Sequence, residues 1–134
     1  MDLDTARRRL GGAGVGRLAT VTAQGRPHVV PCCFALTRNV AYSAVDGKPK
    51  SGRPLRRVAN LEANRVFSLL VDHYADDWSS LWWVRVDGHG RIVGDESERT
   101  LAVGLLTDKY PQYLDVPVPG PVVALEIDSW TSWP

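Results

Sequence analysis

The sequence is poor in lysine, cysteine and methionine and has no long apolar run. Its 134 residues hold three lysines against thirteen arginines, two cysteines and one methionine. No apolar stretch approaches the roughly 20 residues that a membrane-crossing helix needs, which excludes a helical membrane span. The opening residues, MDLDTARRRLGG, mix acids and arginines without an apolar segment, so no secretory signal is expected. Lys and Arg total 16 and Asp and Glu 15, a net charge of +1, whereas a protein that coats nucleic acid carries a strongly basic balance. Cys32 and Cys33 are adjacent; a bridge between neighbours is strained and closes no loop. No CxxC or Cys/His spacing suggests zinc, and a reducing, cytoplasmic location is expected. There is no GxSxG motif, and Gly11, Gly12 and Gly14 follow no strand, as a dinucleotide-binding fingerprint would require. His28, His73 and His89 share no ligand spacing and read as structural or solvent-exposed, and Asp76-Asp77 reads as a loop pair.

What is present describes an ordinary folded domain: 44% hydrophobic and 23% charged residues, with one domain expected over 1–134. Residues 4–10 read as a short helix capped by Asp4 or Thr5 and stopped by Gly11-Gly12. Alternation marks strands at 16–23 and 26–36, a hairpin turned at Gln24-Gly25, and a third strand at 39–45. A helix is expected from about Pro54, strands at 65–72 and 81–93, the latter bent at Gly88 or Gly90, a helix over 95–110 and a last strand at 122–133. A proline-rich extended loop fills 111–121. Six strands with two or three helices predict a mainly β, antiparallel barrel with flanking helices closing its ends.

Two features are concentrated. Lys48, Lys50, Arg53, Arg56 and Arg57 lie in one acid-free window, so the whole chain at +1 less this window's +5 leaves −4 elsewhere. Such a window running into a helix start suits a compact anion, arginine offering forked donors and lysine a point charge; a solvated basic face is the plain alternative. A long polyanion would be repelled by the acidic remainder. There are also five tryptophans. Trp82 and Trp83 are neighbours in one strand, and Trp130 and Trp133 are three apart in another, so each pair points to opposite faces. One barrel interior cannot hold all four, which predicts a homodimer with a planar ligand near its seam. No nucleophile–base pair is evident, so any chemistry would come from a bound cofactor.

The stretches GRLATVTAQGRPHVVPCCFAL, AYSAV and VANLEANRVFSLLVD resemble the pyridoxamine-phosphate-oxidase-like split-barrel family over nearly the whole chain. DGKPKSGRPLRRVANLEAN, DHYADDWSSLWWVRVDG and the ending SWTSW are similar to its branch of small proteins that use the deazaflavin coenzyme F420. The resemblance implies a six-stranded split β-barrel, a homodimer and cofactor grooves between subunits. It puts the cofactor's phosphate and acidic tail on Lys48, Lys50 and Arg53, with Arg57 and Asn60 nearby. The ring would lie along Ser43, Ala44 and Val45, beside Pro31 and Cys32. Trp78 and Ser79 would be further contacts, and Trp130 or Trp133 would come from the second subunit. The implied activity is hydride transfer from reduced coenzyme F420 to a small conjugated acceptor such as a quinone, enone or tetrapyrrole. FMN is the alternative cofactor. A non-catalytic binder of flavin, deazaflavin or heme, or an FMN-dependent oxidase or reductase, is the alternative function. No nucleic-acid or membrane partner is implied.

Overall fold

In the computed structural model, which describes residues 1–44, 56–116, 118 and 120–134, the alternating stretches pair into one antiparallel sheet. Along the chain run α1 (Leu3–Gly12), β1 (Gly16–Val21), β2 (Pro27–Cys32), β3 (Ala35–Thr37) and β4 (Val40–Ala44). Then come α2 (Arg56–Ala63), β5 (Val66–His73), β6 (Trp82–Ile92), α3 (Glu96–Lys109) and β7 (Val122–Trp133). Short 3-10 turns stand at Trp78–Ser80 and Pro111–Leu114, the latter inside the stretch read as extended. Among the described residues no helix is long and apolar enough to cross a membrane.

The sheet has seven strands in the order β2-β1-β5-β6-β7-β4-β3, where six were expected. The extra strand arises because the stretch read as one strand over 26–36 is two, parted at Cys33 and Phe34. β2 pairs with β1 on one edge of the sheet, and β3 pairs with β4 on the other. Two residues join β2 and β3, the first and last strands of this order. A residue spans at most about 3.6 Å, so the sheet must curl until its edges nearly meet. The result is an open, curled barrel whose split lies between β2 and β3.

Burial follows from this curl. Leu18, Leu69, Val84, Val86 and Leu125 point inward and are fully buried with Phe34, and α1 contributes Ala6 and Leu10 to the same cluster. α3 covers the outer face of β4 and β7, burying Tyr42, Ala44, Val122 and Ala124 against Ala102 and Leu106. β7 therefore begins with four consecutive buried residues, Val122 to Leu125, one face meeting each core. β2 is an edge strand, and its Val29 is 61% exposed.

Caps and ion pairs fix the helices. Asp2, rather than Asp4 or Thr5, caps α1, accepting the Thr5 N–H at 2.8 Å, and the helix continues through Gly11 and Gly12. Asp95 caps α3 as read, accepting the Glu98 N–H at 3.0 Å. Glu98 ties α3 to the sheet. Its carboxylate takes a two-pronged bond from Arg91, 2.7 Å at each oxygen, and a 2.8 Å bond from the Tyr42 hydroxyl. The Arg91 guanidinium holds the Glu98 carboxyl down at about 2, while burial and then Glu98 push Tyr42 up to about 12.

The bend in β6 takes the form of a bulge in its partner. The register steps from Asp87↔Ser129 to Gly88↔Ile127, leaving Asp128 of β7 as the extra residue. Gly88 is required here: a Cβ would stand 1.9 Å from the Glu126 carbonyl oxygen. Gly88→Ala is expected to destabilise the fold by about 2–3 kcal/mol, read as a lowered urea midpoint. Gly104→Ala, in α3 with open space around its Cβ position, should instead stabilise by about 0.5–1 kcal/mol. Because Glu98 titrates below its ordinary 4.5 when folded, its contribution is complete above that pH and lost as pH falls toward about 2. Stability of Glu98→Gln should accordingly lack that part of the acid-side decline.

Candidate functional site at the barrel split

The chain at Cys33 and Phe34 leaves one strand without entering the next, so its backbone groups need other partners. Side chains supply them. Ser43, buried on β4, donates its hydroxyl to the Cys33 carbonyl at 2.7 Å. Lys109, in the last turn of α3, donates to the Phe34 carbonyl at 2.8 Å, its ammonium 4.0 Å from the centre of the Phe34 ring. The Tyr110 hydroxyl accepts the Phe34 N–H at 3.1 Å. It lies 3.0 and 3.1 Å from the carbonyls of Gly14 and Phe34, one of which takes its proton. The end of α3 is thus fastened to the split.

A cavity of about 280 Å³ opens at this place, lined by Val15, Pro31, Cys32, Cys33, Ala44, Arg57 and Tyr113. Pro31, Cys32, Ala44 and Arg57, expected as site residues from three separate parts of the sequence, are brought together in its wall. Ser43 stands behind them through its bond to Cys33. Asn60 is buried one turn along α2 from Arg57 and donates to the Thr20 hydroxyl at 3.0 Å. Val45, Lys48, Lys50 and Arg53 lie outside the described residues.

Among the described residues lining the cavity, Arg57 is the one that is charged. Its Nε is buried and has no hydrogen-bond partner among the described residues. The wall around it stays neutral: burial pushes the Cys32 thiol up to about 11 despite the nearby Arg57 charge. Behind the wall, burial pushes Tyr110 up to about 12 and brings Lys109 down to about 8. A neutral wall with an unpaired guanidinium N–H suits an anionic oxygen.

Sequence reasoning missed Val15, Cys33 and Tyr113 as lining residues, and Lys109 and Tyr110 as their support. Tyr110 and Tyr113 flank the Pro111 that ends α3, which marks a helix stop. No local pattern shows that this stop lands on the split.

The tryptophans gather elsewhere. Trp82 and Trp130 turn toward the main core, where Arg9 and Arg7 of α1 each lie 4.8 Å from the ring centre. Trp83 and Trp133 are cross-strand partners on the other face. They share a cavity of about 320 Å³ with Asp72, His73, Tyr74, Leu81 and Trp82. Trp78, 70% exposed, donates its indole N–H to Tyr74 at 3.3 Å. Ser79 is engaged within its own turn, its N–H and hydroxyl both bonded to Asp77. Within one chain, then, Trp78, Ser79, Trp130 and Trp133 do not line the cavity at the split. The expectation that each pair divides between faces holds, and Trp130 is the inward member of its pair.

A family model described as pyridoxamine 5'-phosphate oxidase matches residues 3–133. The chain belongs to the pyridoxamine 5'-phosphate oxidase family. No curated protein matches its sequence. Among solved structures, a conserved hypothetical protein of Mycobacterium tuberculosis superimposes with a TM-score of 0.80 at 17% identity, covering 99% of this chain and 84% of that one. An FAD-binding protein of Mesorhizobium loti gives 0.77 at 21% identity, covering 98% and 94%. The heme storage protein HutZ of Vibrio cholerae gives 0.72 at 18% identity, covering 97% and 89%. At these identities the likeness shows the fold.

Two measurements check the geometry of the split in this pyridoxamine 5'-phosphate oxidase family member. Ellman's reagent should titrate one thiol rapidly in the native protein and two after unfolding, since Cys33 is exposed and Cys32 buried. Tyr110→Phe should cost about 1–3 kcal/mol of stability, because it strips the buried Phe34 N–H of its acceptor.

Proposed function

We propose that this family member is a coenzyme F420-dependent oxidoreductase that passes a hydride to a small conjugated acceptor of quinone, enone or tetrapyrrole type. The observation that carries the reading is the Arg57 Nε, buried and, among the described residues, without a hydrogen-bond partner in the cavity at the barrel split. The cavity fits an anionic cofactor edge: Arg57 holds a phosphate oxygen, while Pro31 and Ala44 offer apolar surface to a flat ring. Ser43 keeps the Cys33 carbonyl occupied, so the edge of β2 stays in place as the ring enters. In the sequence, Lys48, Lys50 and Arg53 share one acid-free window with Arg56 and Arg57. Five cations exceed what the single phosphate of FMN uses, and they match a phosphate extended by an acidic tail.

When bound, the reduced deazaflavin supplies a hydride from C5. The chain positions donor and acceptor and keeps water from the ring; no side chain is assigned as proton donor. Trp78, Ser79, Trp130 and Trp133 do not reach this cavity within one chain. We assign the exposed pair, Trp78 and Trp133, to the face of a homodimer, where they close the other subunit's groove. The free thiols Cys32 and Cys33 suit a reducing, cytoplasmic setting.

Titration with oxidised coenzyme F420, FMN and heme, followed by fluorescence or absorbance, tests the cofactor. F420 should bind most tightly; tight FMN or heme binding without an F420 response would overturn the reading in favour of a flavoprotein or a heme binder. Lys48→Glu and Arg53→Glu should each weaken F420 at least about tenfold. Arg8→Glu, on the exposed side of α1, is the control. Arg7 is unsuitable because it braces Arg38, Asn39 and Trp130. Light scattering at micromolar concentration should give a dimer, and a monomer would remove Trp78 and Trp133 from the site.

A further inference from the structure

Among the described residues, two buried side-chain nitrogens lack a hydrogen-bond partner: Arg57 Nε and His28 Nδ1. They belong to one strip. His28, Val30 and Cys32 share a face of β2, the alternation leaving Pro27, Val29 and Pro31 exposed on the other. Cys32 lies close enough to Arg57 for that charge to act on its thiol. At the far end, Asn60 shares the Arg57 face of α2 and bonds to Thr20, which stands directly opposite His28 in the β1–β2 register. The inward face of β2 therefore runs from the cavity at Arg57 and Cys32 to His28, roughly 13 Å farther along the strand.

A buried polar atom without a partner is costly, and here the cost is incurred twice within one strip. Among the described residues no other buried side-chain atom repeats it, and the neighbouring buried pair Thr20 and Asn60 satisfy one another. His28, Val30 and Arg57 are only partly covered as residues, so the strip is open along an edge. Its two orphans are nitrogens, and a ligand oxygen is what would complete both.

We infer that the strip is an anion subsite for the ligand's acidic tail. Arg57 Nε–H binds at the cavity end, and His28, with its proton on Nδ1, donates to a tail carboxylate. This rests on the deazaflavin reading and deepens it, because His28 becomes the residue that distinguishes a tailed coenzyme from its bare chromophore.

The test compares dissociation constants, by deazaflavin fluorescence, for coenzyme F420 and for its chromophore without phosphate or tail. His28→Ala should weaken the tailed coenzyme about tenfold and leave the chromophore within about twofold. His28→Asn, whose amide nitrogen sits near the Nδ1 position, should restore most of the loss. Equal weakening of both ligands, or of neither, overturns the subsite while leaving the F420 reading intact. If the native protein binds neither deazaflavin, the proposed function fails, and the strip is judged on 15N-histidine spectra titrated with tri-γ-glutamate. A shifted His28 resonance then supports the subsite, and an unshifted one overturns it. Those spectra use the unaltered protein, so they also decide the matter if His28→Ala does not fold.

Discussion

Everything about the shape of this protein depends on a join of two residues. Cys33 and Phe34 connect strands on opposite edges of a seven-stranded sheet, and no flat sheet allows that. The curl they impose turns one face of every central strand toward a shared interior and leaves a split where the edges approach without pairing. At such a split, backbone groups would be buried without sheet partners. Phe34, itself fully buried, shows the solution, its carbonyl bonded by Lys109 and its N–H by Tyr110. The end of α3 thus performs the task a neighbouring strand performs elsewhere.

That solution also makes the cavity. A strand laid across the split would fill it with backbone; side chains reaching from α3 and β4 satisfy the same groups and leave room in front of them. Among the described residues the cavity wall is consequently uncharged apart from Arg57. Burial pushes the Cys32 thiol and the Tyr110 hydroxyl further above neutral pH, so among the described residues lining or backing the cavity no fixed anion competes for the guanidinium. Arginine is needed elsewhere too, and for another reason. Arg7 and Arg9 cover the rings of Trp130 and Trp82, closing the tryptophan side of the core with planar cations.

The candidate site was legible in pieces. Pro31, Cys32, Ala44 and Arg57 were named from separate strands and a helix, and they do meet. Ser43 and Asn60 proved to be supports, bonded to Cys33 and Thr20. The other lining groups, Val15, Cys33 and Tyr113, carry no signal of their own, because a loop glycine neighbour, an exposed thiol and a tyrosine after a helix are common everywhere. His28 is the sharper case. By sequence it is one histidine in an apolar strand; only its unpaired Nδ1, opposite Thr20 and in line with Arg57, gives it meaning.

By itself the sequence determined the elements. Period-two alternation, the Gln24-Gly25 turn, the Asp95 cap and the proline that stops α3 are local, and local physics decides them. It also determined that the tryptophan pairs divide between two faces, since strand geometry allows nothing else. The tertiary structure decided how many strands there are, because whether residues 26–36 make one strand or two depends on which edge Phe34 joins. It decided which face of each strand is buried twice. It also decided that residues from β2, β4, α2 and the end of α3 share one cavity. Those outcomes follow from curling a sheet until its two edges approach, a condition on all seven strands at once that no single stretch of sequence carries.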